Sequence, residues 1–191
     1  MPINFTQEER DALFNKFYEQ GDGLLARLGY KKMKVADIAN AVGVGTGTFY
    51  NFFKSKDEYI LWLIGKRKLE AIAKFNSLAD KYNDKIPLFA LEEYLYDMVS
   101  NYNIYRYLNQ EEYNHLQQKY GLLDKRDEKI EENAIIMMSK LDTDKTVDSF
   151  KVFSEAYSII VIGTSDLSKL NENYLDEATR SLINAAASIL Y

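Results

Sequence analysis

The 191-residue sequence has no cysteine, two prolines and a single histidine. Without cysteine there is no disulfide framework, no thiolate nucleophile and no cysteine zinc site. Two prolines leave long stretches free to run as uninterrupted helix. No apolar run approaches the roughly 18 residues of a membrane-spanning helix, so no membrane partner is expected. The opening, MPINFTQEERD, has neither the basic nor the apolar stretch of a signal peptide, and a cytoplasmic protein is the expectation. At 47% hydrophobic and 28% charged, the rest is the composition of an ordinary globular chain. Its length suits one domain, or two small ones sharing a core.

Charge is unevenly spread. Residues 1–68 carry 11 Lys and Arg against 8 Asp and Glu, whereas residues 69–191 carry 13 against 21. A basic front is suited to a polyanion, and an acidic rear is kept off it.

Apolar residues recur at three and four throughout, which predicts an all-α chain. The first helix is expected from Thr6 to Leu28, with Leu13, Phe17, Leu24 and Leu28 on one stripe. Gly21 and Gly23 weaken it, Asp22 between them is placed to cap a second segment, and Gly29 ends it. Short helices are expected at Val35–Val42 and Thr46–Phe53, with Gly43 between them. Ser55 is placed to cap a long helix from Lys56 to Tyr82, and Pro87 suits the first turn of the next. Further helices are expected near 104–119, 125–141, 145–163 and 174–190, with breaks at Gly121, Asp142–Asp144 and Ser165–Asn173. The mixed-sign run Asp124–Glu132 reads as a solvated helix face.

The informative segment is Val35–Lys56. Ala39 and Gly43 lie four apart, so small residues on one face let a second helix cross closely. Gly43 permits the positive φ of a tight turn, and Val44, Phe49 and Phe53 point back into a core. Polar Thr46, Thr48, Tyr50 and Asn51 stand beside them, with Lys54 and Lys56 following. This is the layout of a helix-turn-helix, whose second helix enters the DNA major groove. Gly43, Gly45 and Gly47 are spaced G-x-G-x-G after a helix, which does not fit the G-x-G-x-x-G dinucleotide fingerprint that follows a strand.

Gly29-Tyr30, Asp37-Ile38-Ala39, Gly43-Val44, Gly47-Thr48-Phe49-Tyr50, Phe53 and Ser55-Lys56-Asp57-Glu58 resemble the N-terminal signature of TetR-type transcriptional regulators, over about residues 8–68. The resemblance implies an all-helical homodimer, with a three-helix DNA-binding head on a larger ligand-binding and dimerisation body. The expected division is 1–55 for the head and 56–191 for the body, with a long connecting helix at 56–82. By the same resemblance Thr46, Gly47 and Thr48 face bases or adjacent phosphates, Tyr50 donates its hydroxyl to a phosphate, and Lys56 reaches the backbone from the start of helix four.

Several positions depart from the family pattern. Gly45 stands where serine usually caps the recognition helix. Met33-Lys34 replaces threonine and serine, which removes the cap of helix two and leaves Lys34 to meet a phosphate. Gly21 replaces an alanine, and Phe52 a frequent histidine. No residue from Ile38 to Phe53 is charged, so an arginine–guanine contact is not available from this helix. Base preference then rests on Thr46, Thr48 and Asn51, and affinity on the flanking lysines.

In the remainder of the chain, tyrosines crowd residues 94–120. Met98, Tyr102, Tyr105, Tyr113, Met137, Phe153 and Tyr157 are the candidate lining of an effector pocket, since an apolar surface with a few hydroxyls is how such sites are built. Four consecutive apolar residues, Ile159–Ile162, predict a helix buried on both sides. The last helix carries Leu175, Ala178, Leu182, Ala185, Ala186 and Ile189 on one face. Ile159, Ile162, Leu182, Ala185, Ala186 and Ile189 are the candidate dimer interface. His115 reads as a surface residue. Nothing assembles into a catalytic set, a metal site or a cofactor motif, so an enzyme is not expected. The expected partners are a palindromic operator in double-stranded DNA, a second copy of the chain and a small-molecule effector. The sequence leaves open a DNA-binding adaptor controlled by a protein partner, and an all-α enzyme acting on an apolar substrate.

Overall fold

The computed structural model describes residues 5–120, 132, 134–167 and 170–191. Gly121, most of the Asp124–Glu132 run and much of the helix expected at 125–141 lie outside these residues. Among the described residues the fold is all-α, and the one β feature is an isolated bridge between Ile86 and Leu141. The chain forms two compact units, Met1–Lys68 and Leu69–Tyr191.

The first unit holds α1 (Gln7–Lys32), α2 (Val35–Val42), α3 (Thr46–Tyr50) and the start of α4 (Lys56–Lys81). Thr6 caps α1 reciprocally: its hydroxyl accepts from the Glu9 N–H at 3.2 Å, and the Glu9 carboxylate accepts from the Thr6 N–H at 2.8 Å. The break that Gly21–Gly23 suggests does not occur. α1 runs straight through, Gly21 is buried, and Asp22 pairs with Arg67 instead of capping a segment. The interruption comes at Gly29, where φ is 68° and ψ is 164°. This backbone is open to glycine alone, and one more turn follows it to Lys32.

Rings fill the centre of this unit. Phe17, Phe49, Phe53 and Tyr59 are all buried. Phe53 meets Phe17 and Tyr59 edge-on at 5.2 and 5.0 Å and Trp62 at a tilt at 5.1 Å. Such pairs each contribute about 0.5–1.5 kcal/mol beyond burial. The Tyr59 hydroxyl donates to the Phe17 carbonyl at 2.8 Å. Burial, then the Asp22 charge, push this phenol above its ordinary range.

The second unit contains α5 (Leu88–Asn101), α6 (Gln110–Lys119), α7 (Val147–Gly163) and α8 (Glu172–Ala187). Asn83 and Asp84 take left-handed φ values of 51° and 59° in the turn before α5, a conformation these two residue types tolerate. Pro87 is the N-cap of α5 rather than its first residue. The single helix expected at 104–119 is split into a 3₁₀ turn at Ile104–Arg106 and α6. Asn109 causes the split: its side chain accepts from the Glu112 N–H at 2.9 Å, and Glu112 answers on the Asn109 N–H at 2.9 Å. Leu91, Leu95, Val99, Phe153, Ile160, Ile183 and Leu190 make much of the core, with Phe75 and Ala79 of α4. No helix among the described residues is long and apolar enough to cross a membrane.

Candidate nucleic-acid interface

The turn between α2 and α3 is built on Gly43, at φ 79° and ψ 31°. The Val44 N–H returns to the Ala39 carbonyl at 2.9 Å, and Ile38, Ala39 and Val42 are buried behind it. Lys34 has no side-chain acceptor for capping α2, but the missing cap is half restored: the Asp37 carboxylate accepts from the Lys34 N–H at 2.8 Å.

α3 is shorter than the expected Thr46–Phe53 and ends at Tyr50. The Phe52 and Phe53 amides both turn back to the Phe49 carbonyl, at 2.9 and 3.0 Å. Phe53 has to leave the helical path to enter the ring core. Gly45 caps α3 with extended backbone and no side-chain bond. Asn51 is therefore the C-cap of α3 instead of lying in its interior.

Around the fully buried Phe49, Thr46, Gly47, Tyr50 and Asn51 are exposed and Thr48 is half-buried. Tyr50 is 56% exposed, with its ring edge-on to Phe49 at 5.4 Å. Lys34 is exposed, while Lys56 is half-buried. The Lys56 Nζ donates to the Tyr30 carbonyl at 2.8 Å and lies 4.2 Å from the centre of the Tyr30 ring. Phe52 packs edge-on against Phe14 at 5.0 Å and under the Arg10 guanidinium at 4.8 Å. The position that often carries histidine in the family is thus part of an aromatic cluster here. Ser55 and Glu58 cap α4: the Ser55 hydroxyl accepts from the Glu58 N–H at 3.1 Å, and Glu58 accepts from the Lys54 N–H at 2.6 Å.

Residues 18–61, which contain this unit's helix-turn-helix, match the family described as bacterial regulatory proteins, tetR family. The chain is similar to the TetR family of transcriptional regulators over this segment. It is 32% identical over 93 residues to the HTH-type transcriptional regulator YwcC of Bacillus subtilis. That alignment takes in 49% of this chain and 42% of YwcC, less than half of the relative's length. The structure of the fatty acid degradation regulator FadR from Bacillus halodurans matches at TM-score 0.58 and 15% identity, over 95% of this chain and 96% of that one. At that identity the likeness is one of fold.

The second unit has an apolar groove of about 660 Å³ between α7 and α8, lined by Ile159, Ile160, Tyr174, Leu182, Ala185, Ala186 and Ile189 among others. Ile159 is 71% exposed and Leu182 55%. Ile162 is exposed but does not line the groove, and Ala186 is buried in the unit's own core. Burial on both sides of Ile159–Ile162 is not seen in the single chain: Ile160 is buried while Ile159 and Ile162 are exposed.

None of the seven candidate pocket residues lines this groove. Phe153 is in the core, with Met137 and Tyr157 packed on it. Met98 is half-buried on α5. Tyr105 and Tyr113 meet edge-on at 5.3 Å. Tyr102 lies under the Lys74 ammonium at 4.8 Å. His115 is exposed.

A polar cluster that the sequence does not single out joins α4 to α5. The Lys74 Nζ donates to Asp97 at 2.6 Å, Asn101 donates to the other Asp97 oxygen at 2.7 Å, and the Tyr94 hydroxyl donates to the Ala71 carbonyl at 3.1 Å. Burial works against the charge on Asp97, but the bonds from Lys74 and Asn101 outweigh it and hold the carboxyl below its usual range. Burial, then the Asp97 and Tyr102 charges, push Tyr94 up to about 12. Lys74 and Asp97 are far apart in sequence on different helices, so no local spacing pairs them.

Proposed function

We propose that the chain is a cytoplasmic repressor acting as a homodimer on a palindromic operator in double-stranded DNA, released by a small apolar or amphiphilic effector. The observation that carries the reading is the tip of the helix-turn-helix: polar, uncharged Thr46, Thr48, Tyr50 and Asn51 stand around a fully buried Phe49. Thr46, Gly47 and Thr48 face bases or the adjacent phosphates, and Asn51 offers an amide to a base edge. Tyr50 donates its exposed hydroxyl to a phosphate, and Lys34 and Lys56 add charge. Base preference then comes from thymine-methyl contacts and one amide pairing, without arginine.

The exposed apolar groove between α7 and α8 supports a second copy as the partner, and a two-fold dimer fits a palindromic site. The effector is assigned to the second unit. It releases DNA by binding the DNA-incompetent arrangement better than the competent one. Control by a protein partner is the second reading, and it gains if the chain is monomeric in solution, because the apolar face is then open to another protein.

Selection of bound duplexes from a random pool tests the proposal, with Tyr50→Ala protein in parallel. The natural protein enriches a palindrome, and the variant retains less DNA of every sequence. A pool with no enriched sequence at low salt refutes it.

A further inference from the structure

We infer that Tyr30 is a positioning residue that holds Lys56 ready for a DNA phosphate. The inference rests on the DNA-binding reading above and adds a residue whose side chain does not itself touch DNA.

Three attachments run from Tyr30 to the first two residues of α4. Its carbonyl accepts from the Lys56 Nζ at 2.8 Å, its ring lies 4.2 Å from that ammonium, and its hydroxyl donates to the Asp57 carboxylate at 2.7 Å. The backbone just before it makes this possible. Gly29, at φ 68° and ψ 164°, interrupts α1, and Tyr30 lies in the last turn of that helix, where carbonyls have no partner within the helix. A lysine ammonium has three N–H donors, and the Tyr30 carbonyl takes one of them. A free lysine stem samples many rotamers, all of which it must give up to bind a phosphate. One held in place in advance loses less on binding. The hydroxyl bond to Asp57 helps fix the plane of the ring.

The test is the salt dependence of binding to a pool of random-sequence duplexes, because neutralising a phosphate is independent of sequence. The full chain is compared with Tyr30→Leu, Tyr30→Phe, Lys56→Gln and the Tyr30→Leu/Lys56→Gln double variant. Lys56→Gln makes the slope of log K against log salt shallower by about 0.9 for each phosphate that Lys56 neutralises. Tyr30→Leu weakens binding by about 2- to 5-fold per head, the worth of a partly exposed cation–π interaction. It weakens the Lys56→Gln protein no further, and Tyr30→Phe regains most of the affinity. Losses that multiply in the double variant, or a Tyr30→Leu protein that binds as the natural one does, overturn the inference while the DNA-binding reading stands. A natural protein with no salt-dependent binding overturns both. NMR of the free natural protein adds a readout that needs no variant: the Lys56 side chain is immobilised, and a freely rotating one overturns the inference.

Discussion

At Gly21 an added Cβ would fall on the Tyr59 hydroxyl oxygen. Helix propensity alone favours alanine over glycine there by ~1 kcal/mol, yet the site is closed to it. Gly21→Ala is expected to destabilise the head by about 1–3 kcal/mol, as overpacking does. Tyr59→Phe removes the oxygen, so the cost of Gly21→Ala shrinks in that background. A double-mutant cycle on denaturant midpoints reads the coupling, and independent costs would contradict it. Tyr50 is the opposite kind of residue. With its ring more than half exposed, Tyr50→Ala leaves the melting temperature nearly unchanged and weakens binding to all duplexes alike, whereas Thr48→Ala relaxes preference at particular base pairs. Parallel melting and binding curves separate the two effects.

Helix ends and helix pairs set the behaviour of the elements. α3 has only five residues and an N-cap without a side chain. The Gly45 backbone is already extended and nothing crowds a Cβ there. Gly45→Ser is expected to stabilise the head by a few tenths of a kcal/mol through a bond to the α3 amides, seen as a raised denaturation midpoint. Between α4 and α5 the Lys74–Asp97–Asn101 cluster gives a pH dependence with a definite sign. The Asp97 carboxyl is held below its ordinary range in the folded chain, so the unfolded chain takes up the proton first as pH falls. Its contribution is present above the ordinary carboxylate pKa and is lost as pH drops toward the folded value. Asp97→Asn flattens that acid limb in urea titrations at stepped pH. At the other end Tyr94, raised from 10.0 to about 12, favours the folded chain below pH 10. That contribution is lost between about 10 and 12, and Tyr94→Phe weakens the alkaline loss.

For the whole molecule the decisive feature is an apolar face that none of the described residues covers. Ile159 and Leu182 are the test positions, being exposed on α7 and α8. Leu182→Glu or Ile159→Lys is expected to leave helix content intact, convert a dimer to monomer in sedimentation, and abolish binding to a palindrome more than to a half-site. A natural protein that sediments as a monomer removes the dimer from the proposal. Both substitutions keep the core, because neither side chain belongs to it.

Much of this was legible in the sequence. Helical periodicity and the scarcity of proline determined the fold class, and Val35–Lys56 determined the helix-turn-helix, because caps, turns and amphipathic faces are local properties. Gly43 needed its positive φ in any fold that joins α2 to α3 so tightly. The ends of elements were less legible: α3 stops at Tyr50 because Phe53 is drawn into a ring core assembled from α1 and α4, which no local pattern reveals. Gly21 resembles a weak point in a helix, and only the arrival of Tyr59 from far along the chain explains it. The tyrosines of the second half form one set in the sequence, but tertiary packing divides them among the core, an edge-on pair and a lysine contact. Spacing along one helix says which residues share a face. Which face meets the core, which meets solvent, and which lysine is held by which ring depend on the crossing of helices distant in sequence, and that was decided by the tertiary structure.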